Sequence, residues 1–237
     1  MMHRTMEHPL IIERKPALAP YEPPRLVGRS SMIVDDPIAA QLLDRVGSLL
    51  LLIVLLPLMA IIALVVFISS PGPVLFRQTR IGRGGAKFTC YKFRSMASDA
   101  DERLRKLLAS DPEARLEWER DQKLRNDPRI YPFGRFLRKS SLDELPQLFN
   151  VLRGEMSLVG PRPIVEAEIV RYGRYFGHYC SVRPGITGLW QISGRNDCHY
   201  RRRIAFDVIY VRKGRVGDNL RILALTVPIV LNSKGSY

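Results

Sequence analysis

Two adjacent carboxylates, Asp143 and Glu144, stand just before Pro146. Capping boxes could begin at Ser140 or Ser141, but either one would place Pro146 beyond the first turn of the helix. Proline is tolerated only in that turn, where N–H groups have no helical partner. We therefore predict that Asp143 is the N-cap of a helix beginning at Glu144. An aspartate there is held ionised by backbone N–H groups and the helix dipole, and ionised aspartate is what attack on phosphorus requires.

The same helix end could also hold a phosphate group. Arg138 and Lys139 lie just upstream of Asp143, so the charge of an approaching diphosphate would be compensated. Glu144 offers hard oxygen ligands of the kind that Mg²⁺ prefers. The sequence therefore predicts that Glu144 is a metal ligand and that Mg²⁺ is the cofactor.

The chain of 237 residues carries a formal net charge of +14 and has a pI near 10.1. This charge calls for an anionic partner: nucleic acid, an anionic membrane face or a phosphorylated substrate. A nucleic-acid-binding protein would need basic residues interleaved with exposed aromatics, or a known reading motif. Neither is evident, so we predict no nucleic-acid partner.

The three cysteines, Cys90, Cys180 and Cys198, are widely spaced and include no CxxC pair. A disulfide framework is therefore not expected, and a reducing compartment fits the pattern. His178 and His199 lie near two of them, but structural zinc sites usually show paired short spacings. These cysteines are interpreted as ordinary buried or surface side chains.

An apolar run at residues 49 to 68 has the length that a bilayer span requires. Pro57 lies near its middle, and proline must kink or break the helix there. A kinked span and a re-entrant helix that enters and leaves by one face are both compatible with this pattern. The positive charges that follow the run place its C-terminal side in the cytoplasm; they are Arg77, Arg80, Arg83 and Lys87.

The remaining patterns indicate an α+β fold that is mainly helical. Alternating runs joined by Gly82, Gly84 and Gly85 predict a β-hairpin, and residues 99 to 125 predict exposed amphipathic helices interrupted at Pro112. Further helices are expected from Glu144, around residues 164 to 177, and in the apolar stretch at 222 to 231, which is too short to span a bilayer. The predicted regions are a proline-rich flexible tail at 1–40, a membrane-embedded helix at 41–70 and a cytosolic catalytic domain at 71–237.

The chain resembles the bacterial sugar transferase family, the monotopic polyprenyl-phosphate phosphoglycosyl transferases. The resemblance runs from about Asp44 to near the C-terminus and rests on six motifs that occur in order. One is the carboxylate segment SLDELPQLFNVLRGEMSLVGPRP, and the other five are SPGPVLFRQTRIG, YKFRSM, DPRI, RPGITGLWQISGRN and FDVIYV.

The resemblance implies a two-step reaction in which Asp143 attacks the sugar-bearing phosphorus of a UDP-sugar and releases UMP. Polyprenyl phosphate then takes the phosphosugar, as the first step of exopolysaccharide or surface glycan synthesis with a hexose, glucose or galactose. The resemblance also implies an association of Glu144 with Mg²⁺ and a re-entrant helix-break-helix, here broken at Pro57. Residues implied near the phosphates or nucleotide are Arg138, Pro161, Arg162, Pro163, Arg195, Asn196 and Asp207.

The implied location is the bacterial inner membrane, with the catalytic domain facing the cytoplasm.

Two alternative functions stay open at this stage. One is a membrane-tethered protein that binds nucleic acid or another anionic ligand, which charge alone suggests. The other is a phosphatase or pump-like ATPase that forms an aspartyl phosphate, although the chain has no GxxxxGK(S/T) loop.

Overall fold

The computed structural model describes residues 37–121, 124–193, 199–213 and 216–231. The fold is mainly helical, as predicted, with an antiparallel two-stranded ribbon and a short parallel pair of strands. The strands are β1 (Leu75–Ile81), β2 (Lys87–Phe93), β3 (Ser157–Val159) and β4 (Gly185–Thr187). The helices are α1 (Ile38–Ser69), α2 (Ala100–Ser110), α3 (Pro112–Asp121), α4 (Pro132–Ser140), α5 (Gln147–Leu152), α6 (Ile169–Tyr172), α7 (Phe176–Cys180), α8 (Leu189–Ile192), α9 (Tyr200–Lys213) and α10 (Val216–Leu231).

Helix α1 has 32 residues and is therefore about 48 Å long. Within the described ranges it is the one helix long and apolar enough to cross a membrane. Pro57 lies inside α1, and no non-helical residue interrupts the helix there, so the predicted break is not a gap between two separate helices. Proline removes one N–H donor from the helical ladder, and the hydrogen bonds of the turns before and after it can still hold the helix together.

One side of α1 packs against the rest of the protein along nearly its whole length. Near its beginning, the Asp44 carboxylate accepts hydrogen bonds from Ser157 Oγ and Leu158 N, both at 2.9 Å, and lies 3.0 Å from Arg183 Nη2. Near its end, Val66 is fully buried in the main hydrophobic core. The opposite side is exposed and apolar, and such a surface marks contact with a membrane or a partner; it includes Leu50, Ile53, Val54, Ile61, Leu64 and Phe67.

The predicted β-hairpin is confirmed. Strands β1 and β2 pair antiparallel, with Leu75 opposite Phe93 and Ile81 opposite Lys87. The connection contains Gly84 at a φ of 68°, a left-handed conformation that glycine adopts without strain. The exposed helices α2 and α3 are confirmed too, with Pro112 at the start of the second.

The short parallel pair β3–β4 is a feature that the sequence did not predict, since three-residue strands carry too little periodicity to detect. Its close approach depends on glycine: a Cβ on Gly185 would lie 2.0 Å from the backbone nitrogen of Gly160. Backbone hydrogen bonds continue past the strands, with Gly185 N donating to Pro161 O at 2.8 Å. The segment after β3 is thereby fixed against the RPGITG segment.

Two of the predicted helices differ in extent or continuity from those in the structure. The helix expected at 164 to 177 is a series of short turns and helices from Glu166 to Cys180, interrupted where Gly173 adopts a φ of 49°. The apolar stretch at 222 to 231 lies in α10, which buries Ile222 and exposes Leu225, as a helix on the surface of the core should.

Candidate active site

Asp143 and Glu144 lie in a 3₁₀ turn, Leu142–Glu144, between α4 and α5. The prediction of Asp143 as an N-cap was wrong, because α5 begins at Gln147, directly after Pro146. Ser141 precedes the turn in the left-handed conformation, at a φ of 59°. That conformation ends α4, and a single 3₁₀ turn then leads to Pro146, the N-cap of α5.

The Asp143 carboxylate is buried, with 8% of the residue exposed. No lysine or arginine of the described residues comes within ion-pair distance of it. Burial, and then the neighbouring charge of Glu144, raise the pKa of Asp143 to about 6, while the charges of Lys92 and Arg138 act in the opposite direction. The sequence predicted that the helix end would favour the ionised form of Asp143; in the structure burial and Glu144 shift its pKa in the opposite direction.

Glu144 is bound by Lys92, whose Nζ lies 2.5 Å from Glu144 Oε1. Burial works against the charge of this carboxylate, but Lys92 and the more distant Arg162 and Arg80 outweigh it and lower the pKa of Glu144. The two adjacent carboxylates therefore differ: one is ionised and paired, and the other is unpaired and protonates near pH 6. Pairs of titratable groups with separated pKa values are typical of catalytic sites.

Arg138 lies near the end of α4 and donates from Nε to Ser95 Oγ at 2.9 Å. The close packing of α4 on this segment depends on Gly134, since a Cβ there would lie 2.0 Å from the Ser95 carbonyl oxygen. The charge of Arg138 acts on Asp143. The structure thus brings Arg138 to the carboxylates, as the sequence predicted.

The segment Pro161-Arg162-Pro163 lies close enough for the charge of Arg162 to act on Glu144. Both prolines are buried, and the arginine between them is exposed. Arg80 Nη1 donates to the Pro163 carbonyl at 2.9 Å, which fixes the backbone on this side. Arg162 is therefore presented to solvent from a rigid segment beside the carboxylates.

Asp207 lies in α9, buried, and accepts a 2.7 Å hydrogen bond from the Tyr172 hydroxyl. Burial raises its pKa to about 7, against the effects of Tyr172, Arg203 and Arg162. Its connection to the site runs through Arg162, whose charge acts on both Asp207 and Glu144. The other two predicted residues, Arg195 and Asn196, lie outside the described residues.

The sequence missed Lys92 and Arg80 as site residues. Lys92 belongs to the YKFRSM motif, and its place at the end of a strand facing the 3₁₀ turn is a long-range contact that the local pattern does not show. No group of three or more histidine, cysteine, aspartate or glutamate residues that could hold a metal occurs within the described ranges. Magnesium commonly uses only one or two protein carboxylates together with substrate phosphates, so the donor set of Asp143 and Glu144 is compatible with it.

The fold and the site combine a long helix that has an exposed apolar side with a buried carboxylate, Asp143, that has no ion-pair partner among the described residues and feels the charges of Lys92 and Arg138. Such a carboxylate is suited to nucleophilic attack on phosphorus. The chain belongs to the bacterial sugar transferase family, whose family model matches residues 36–233.

Curated relatives agree with this assignment. The chain is 52% identical over 194 residues to the undecaprenyl-phosphate galactose phosphotransferase of Salmonella typhimurium, covering 82% of this chain and 40% of that protein. It is 46% identical to the exopolysaccharide production protein ExoY of Rhizobium meliloti, covering 82% and 86%. It is 41% identical to the UDP-glucose:undecaprenyl-phosphate glucose-1-phosphate transferase of Xanthomonas campestris, covering 84% and 40%. The chain thus spans less than half the length of the Salmonella and Xanthomonas relatives.

Proposed function

We propose that this protein transfers a hexose 1-phosphate from a UDP-sugar to undecaprenyl phosphate and releases UMP, as the first step of exopolysaccharide synthesis. The family and the names of the relatives support the reaction class. The observation that carries the proposal is the Asp143 carboxylate, which is buried, has no ion-pair partner among the described residues and feels the positive charges of Lys92 and Arg138. A structural carboxylate would be expected to have a partner.

In the first step, an ionised oxygen of Asp143 attacks the phosphorus that bears the sugar. A phosphorus–oxygen bond forms to the aspartate, and the bond to the bridging oxygen of UMP breaks, so that UMP leaves with the bonding electrons. Lys92 and Arg138 are placed to offset the charge on the transferring phosphoryl group. Arg162, exposed on its rigid segment, is the group available to bind the diphosphate or the leaving UMP.

In the second step, a phosphate oxygen of undecaprenyl phosphate attacks the same phosphorus. The bond to Asp143 breaks, the free carboxylate returns, and the product is a lipid diphosphate sugar. The raised pKa of Asp143 suits both steps, since the group is ionised at neutral pH but is a moderately good leaving group from phosphorus.

We propose Glu144 as the protein ligand for Mg²⁺, together with the diphosphate oxygens of the substrate. The ion would neutralise diphosphate oxygens and the developing charge on the leaving phosphate. Lys92 holds Glu144 Oε1 and keeps the carboxylate oriented toward the site. Turnover should cease in excess chelator and return with added Mg²⁺; full activity in the chelator would remove the metal from this mechanism.

We also propose that α1 bends at Pro57, so that it enters the inner membrane from the cytoplasmic side and leaves by the same side. Asp44 and Val66 are 22 residues apart on α1, about 33 Å, close to the ~30 Å hydrocarbon thickness, yet both pack on the same domain. A helix crossing perpendicular to the bilayer would place Arg183 and Val66 on opposite sides. Cysteines introduced at positions 20 and 120 should therefore both be protected from a periplasmic reagent, whereas labelling of only position 20 would establish a span.

The reaction is tested by incubating the purified protein, in detergent or nanodiscs, with a panel of UDP-sugars and undecaprenyl phosphate. One UDP-hexose should yield UMP and a lipid diphosphate sugar in equal amounts. Release of inorganic phosphate instead would indicate a phosphatase. Tight binding of DNA or RNA without any UMP release would favour the membrane-tethered binding protein.

A further inference from the structure

Two arginines stack on one buried tryptophan beside the site. The guanidinium carbon of Arg203 lies 4.7 Å from the centre of the Trp190 ring, and that of Arg162 lies 5.9 Å from it. Both distances fall within the range of a cation–π interaction, about 6 Å, and tryptophan gives the strongest such interaction of the aromatic residues. One ring therefore holds two positive charges together.

The fold places Trp190 beside the segment that carries Arg162. Helix α8 contains Trp190 and begins directly after Gly188, where a Cβ would lie 2.3 Å from the carbonyl oxygen of Gly160. The Gly160 backbone N–H donates to the Thr187 carbonyl at 2.8 Å, so the two segments are also hydrogen-bonded. Because Gly160 precedes Arg162 by only two residues, the backbones that carry the ring and this arginine are held in a fixed relation.

The tryptophan itself is an unusual choice for this position. Trp190 is 4% exposed, and its indole Nε1 is buried without a hydrogen-bond partner among the residues that the structure describes. A buried tryptophan usually finds a partner for this N–H, and leaving it unbonded costs free energy. Leucine or phenylalanine would fill the space without that cost. What tryptophan adds is the large aromatic face on which the arginines stack.

The positive charge of the two arginines is only partly compensated. Arg162 is exposed, and no carboxylate in the described ranges comes within ion-pair distance of it. Asp207 feels the charges of both arginines, but burial raises its pKa to about 7, so it is only partly ionised at neutral pH. The charge of Arg162 also acts on Glu144. The two arginines thus form a positive site that borders the carboxylates.

We propose that Trp190 is a positioning residue that holds Arg162 and Arg203 together as a binding site for the diphosphate of the sugar donor. The inference rests on the proposed function and deepens it, since it adds Arg203 as a binding residue and Trp190 as the residue that positions both arginines. A diphosphate carries two charged phosphates, and guanidinium groups bind phosphate oxygens through paired N–H donors. A guanidinium that stacks on a ring keeps these donors, because they lie in its own plane.

The test compares Trp190→Phe, which keeps an aromatic face, with Trp190→Leu, which supplies apolar atoms without one. Trp190→Leu should raise the KM for the UDP-sugar by about tenfold and leave kcat within about threefold of the wild type. Trp190→Phe should stay within about threefold of the wild type in both parameters. Equal losses in the two variants, or a fall in kcat alone, would indicate a packing role and would overturn the inference.

The matched control is Trp118→Leu, the same substitution at the other tryptophan of the chain. The Trp118 ring carries Arg129 at 4.7 Å, the distance at which Arg203 stacks on Trp190. Trp118 lies in α3, which contains no residue of the proposed site. Its KM for the UDP-sugar should stay within about twofold of the wild type. A tenfold rise there as well would contradict a role specific to Trp190.

A mutant cycle tests whether Trp190 acts through the two arginines. In a protein that already carries Arg162→Gln and Arg203→Gln, adding Trp190→Leu should change the KM by less than about twofold. A further tenfold rise would show that Trp190 acts independently of these arginines and would contradict the inference. If Trp190→Leu does not fold, Arg203→Gln alone decides: it should raise the KM about fivefold, and an unchanged KM would overturn the assignment.

Binding of UDP, measured by calorimetry without sugar or lipid acceptor, separates this inference from the proposed function. Trp190→Leu should bind UDP about tenfold more weakly than the wild type does, and its affinity for UMP, which has one phosphate, should fall less. An equal loss for UMP would contradict a site for two phosphates. Unchanged UDP binding by Trp190→Leu, with normal sugar transfer by the wild type, would overturn this inference alone. Weakened UDP binding by Trp190→Leu, without any sugar transfer by the wild type, would support the diphosphate site and contradict the proposed function.

Discussion

Two aspartates of this protein are almost equally buried but differ in their surroundings. Asp44, with 3% exposed, has both carboxylate oxygens bound, by Ser157, by the Leu158 backbone and by Arg183. Asp143, with 8% exposed, has no ion-pair partner in the described part of the chain. Burial is therefore not what separates a structural carboxylate from a chemical one here. The difference lies in whether the charge is already satisfied.

The two positions illustrate two uses of a buried charge. A fully bonded carboxylate fixes the elements that bond to it, and Asp44 thus fixes the beginning of α1 against β3. An unsatisfied carboxylate costs free energy in the folded protein, and such a cost is typical of functional sites. In the proposed mechanism, Asp143 keeps its reactivity because no lysine or arginine of the described residues forms an ion pair with it before the substrate arrives.

The largest effect is expected for Asp143→Asn. An amide cannot form the phosphosugar ester, so the rate should fall by roughly a thousandfold or more. Asp44→Asn serves as the matched control, since it makes the same substitution at an equally buried site. After correction for the folded fraction, its turnover should stay within about threefold of the wild type. A comparable loss at both positions would mean that burial, and not chemistry, explains the effect.

For the loss of folding stability, the two variants should rank in the opposite order, with Asp44→Asn the more damaging. Asp44→Asn leaves Arg183 buried without its counterion and should cost about 3 kcal/mol or more. Asp143→Asn should leave the melting temperature equal or higher at pH 7, because the raised pKa of Asp143 means that its ionisation opposes folding. Thermal unfolding in detergent measures both. A lower melting temperature for Asp143→Asn than for Asp44→Asn would contradict the comparison.

Glu144→Gln should lower activity by roughly a hundredfold, through weaker binding of Mg²⁺, and excess Mg²⁺ should restore part of it. The matched control is Glu166→Gln, which breaks another lysine–glutamate pair, the exposed contact of Lys87 with Glu166 at 2.8 Å. An exposed pair contributes little, so this variant should behave as the wild type does. An equal loss in both variants, or no response of Glu144→Gln to Mg²⁺, would argue against a metal role.

The smallest effect is the pH dependence. Since the active form of Asp143 is ionised and burial raises its pKa to about 6, kcat/KM for the UDP-sugar should be level above pH 7. It should fall about tenfold per pH unit well below 6. A profile that stays flat down to pH 4.5 would show that the ionisation of a group with a raised pKa does not control the reaction.

The sequence predicted the hairpin, the apolar helix and the proximity of Arg138 to the carboxylates, because each depends on local spacing or on a motif. It failed at Asp143 itself: the proline correctly limited the start of the helix, but the left-handed Ser141 and the 3₁₀ turn were not visible in the residue pattern. It also missed Lys92, and with it the separated pKa values of the two carboxylates. Both depend on β2 packing against the turn, a contact between segments about fifty residues apart.

The most direct test of the nucleophile is to trap its covalent intermediate. Wild-type protein incubated with labelled UDP-hexose and no lipid acceptor should gain the mass of one hexose phosphate on the peptide that carries Asp143. The modification should be lost on treatment with hydroxylamine or on addition of undecaprenyl phosphate, and it should be absent from Asp143→Asn. A label on another residue, or full turnover by Asp143→Asn, would contradict the assignment of Asp143 as the nucleophile.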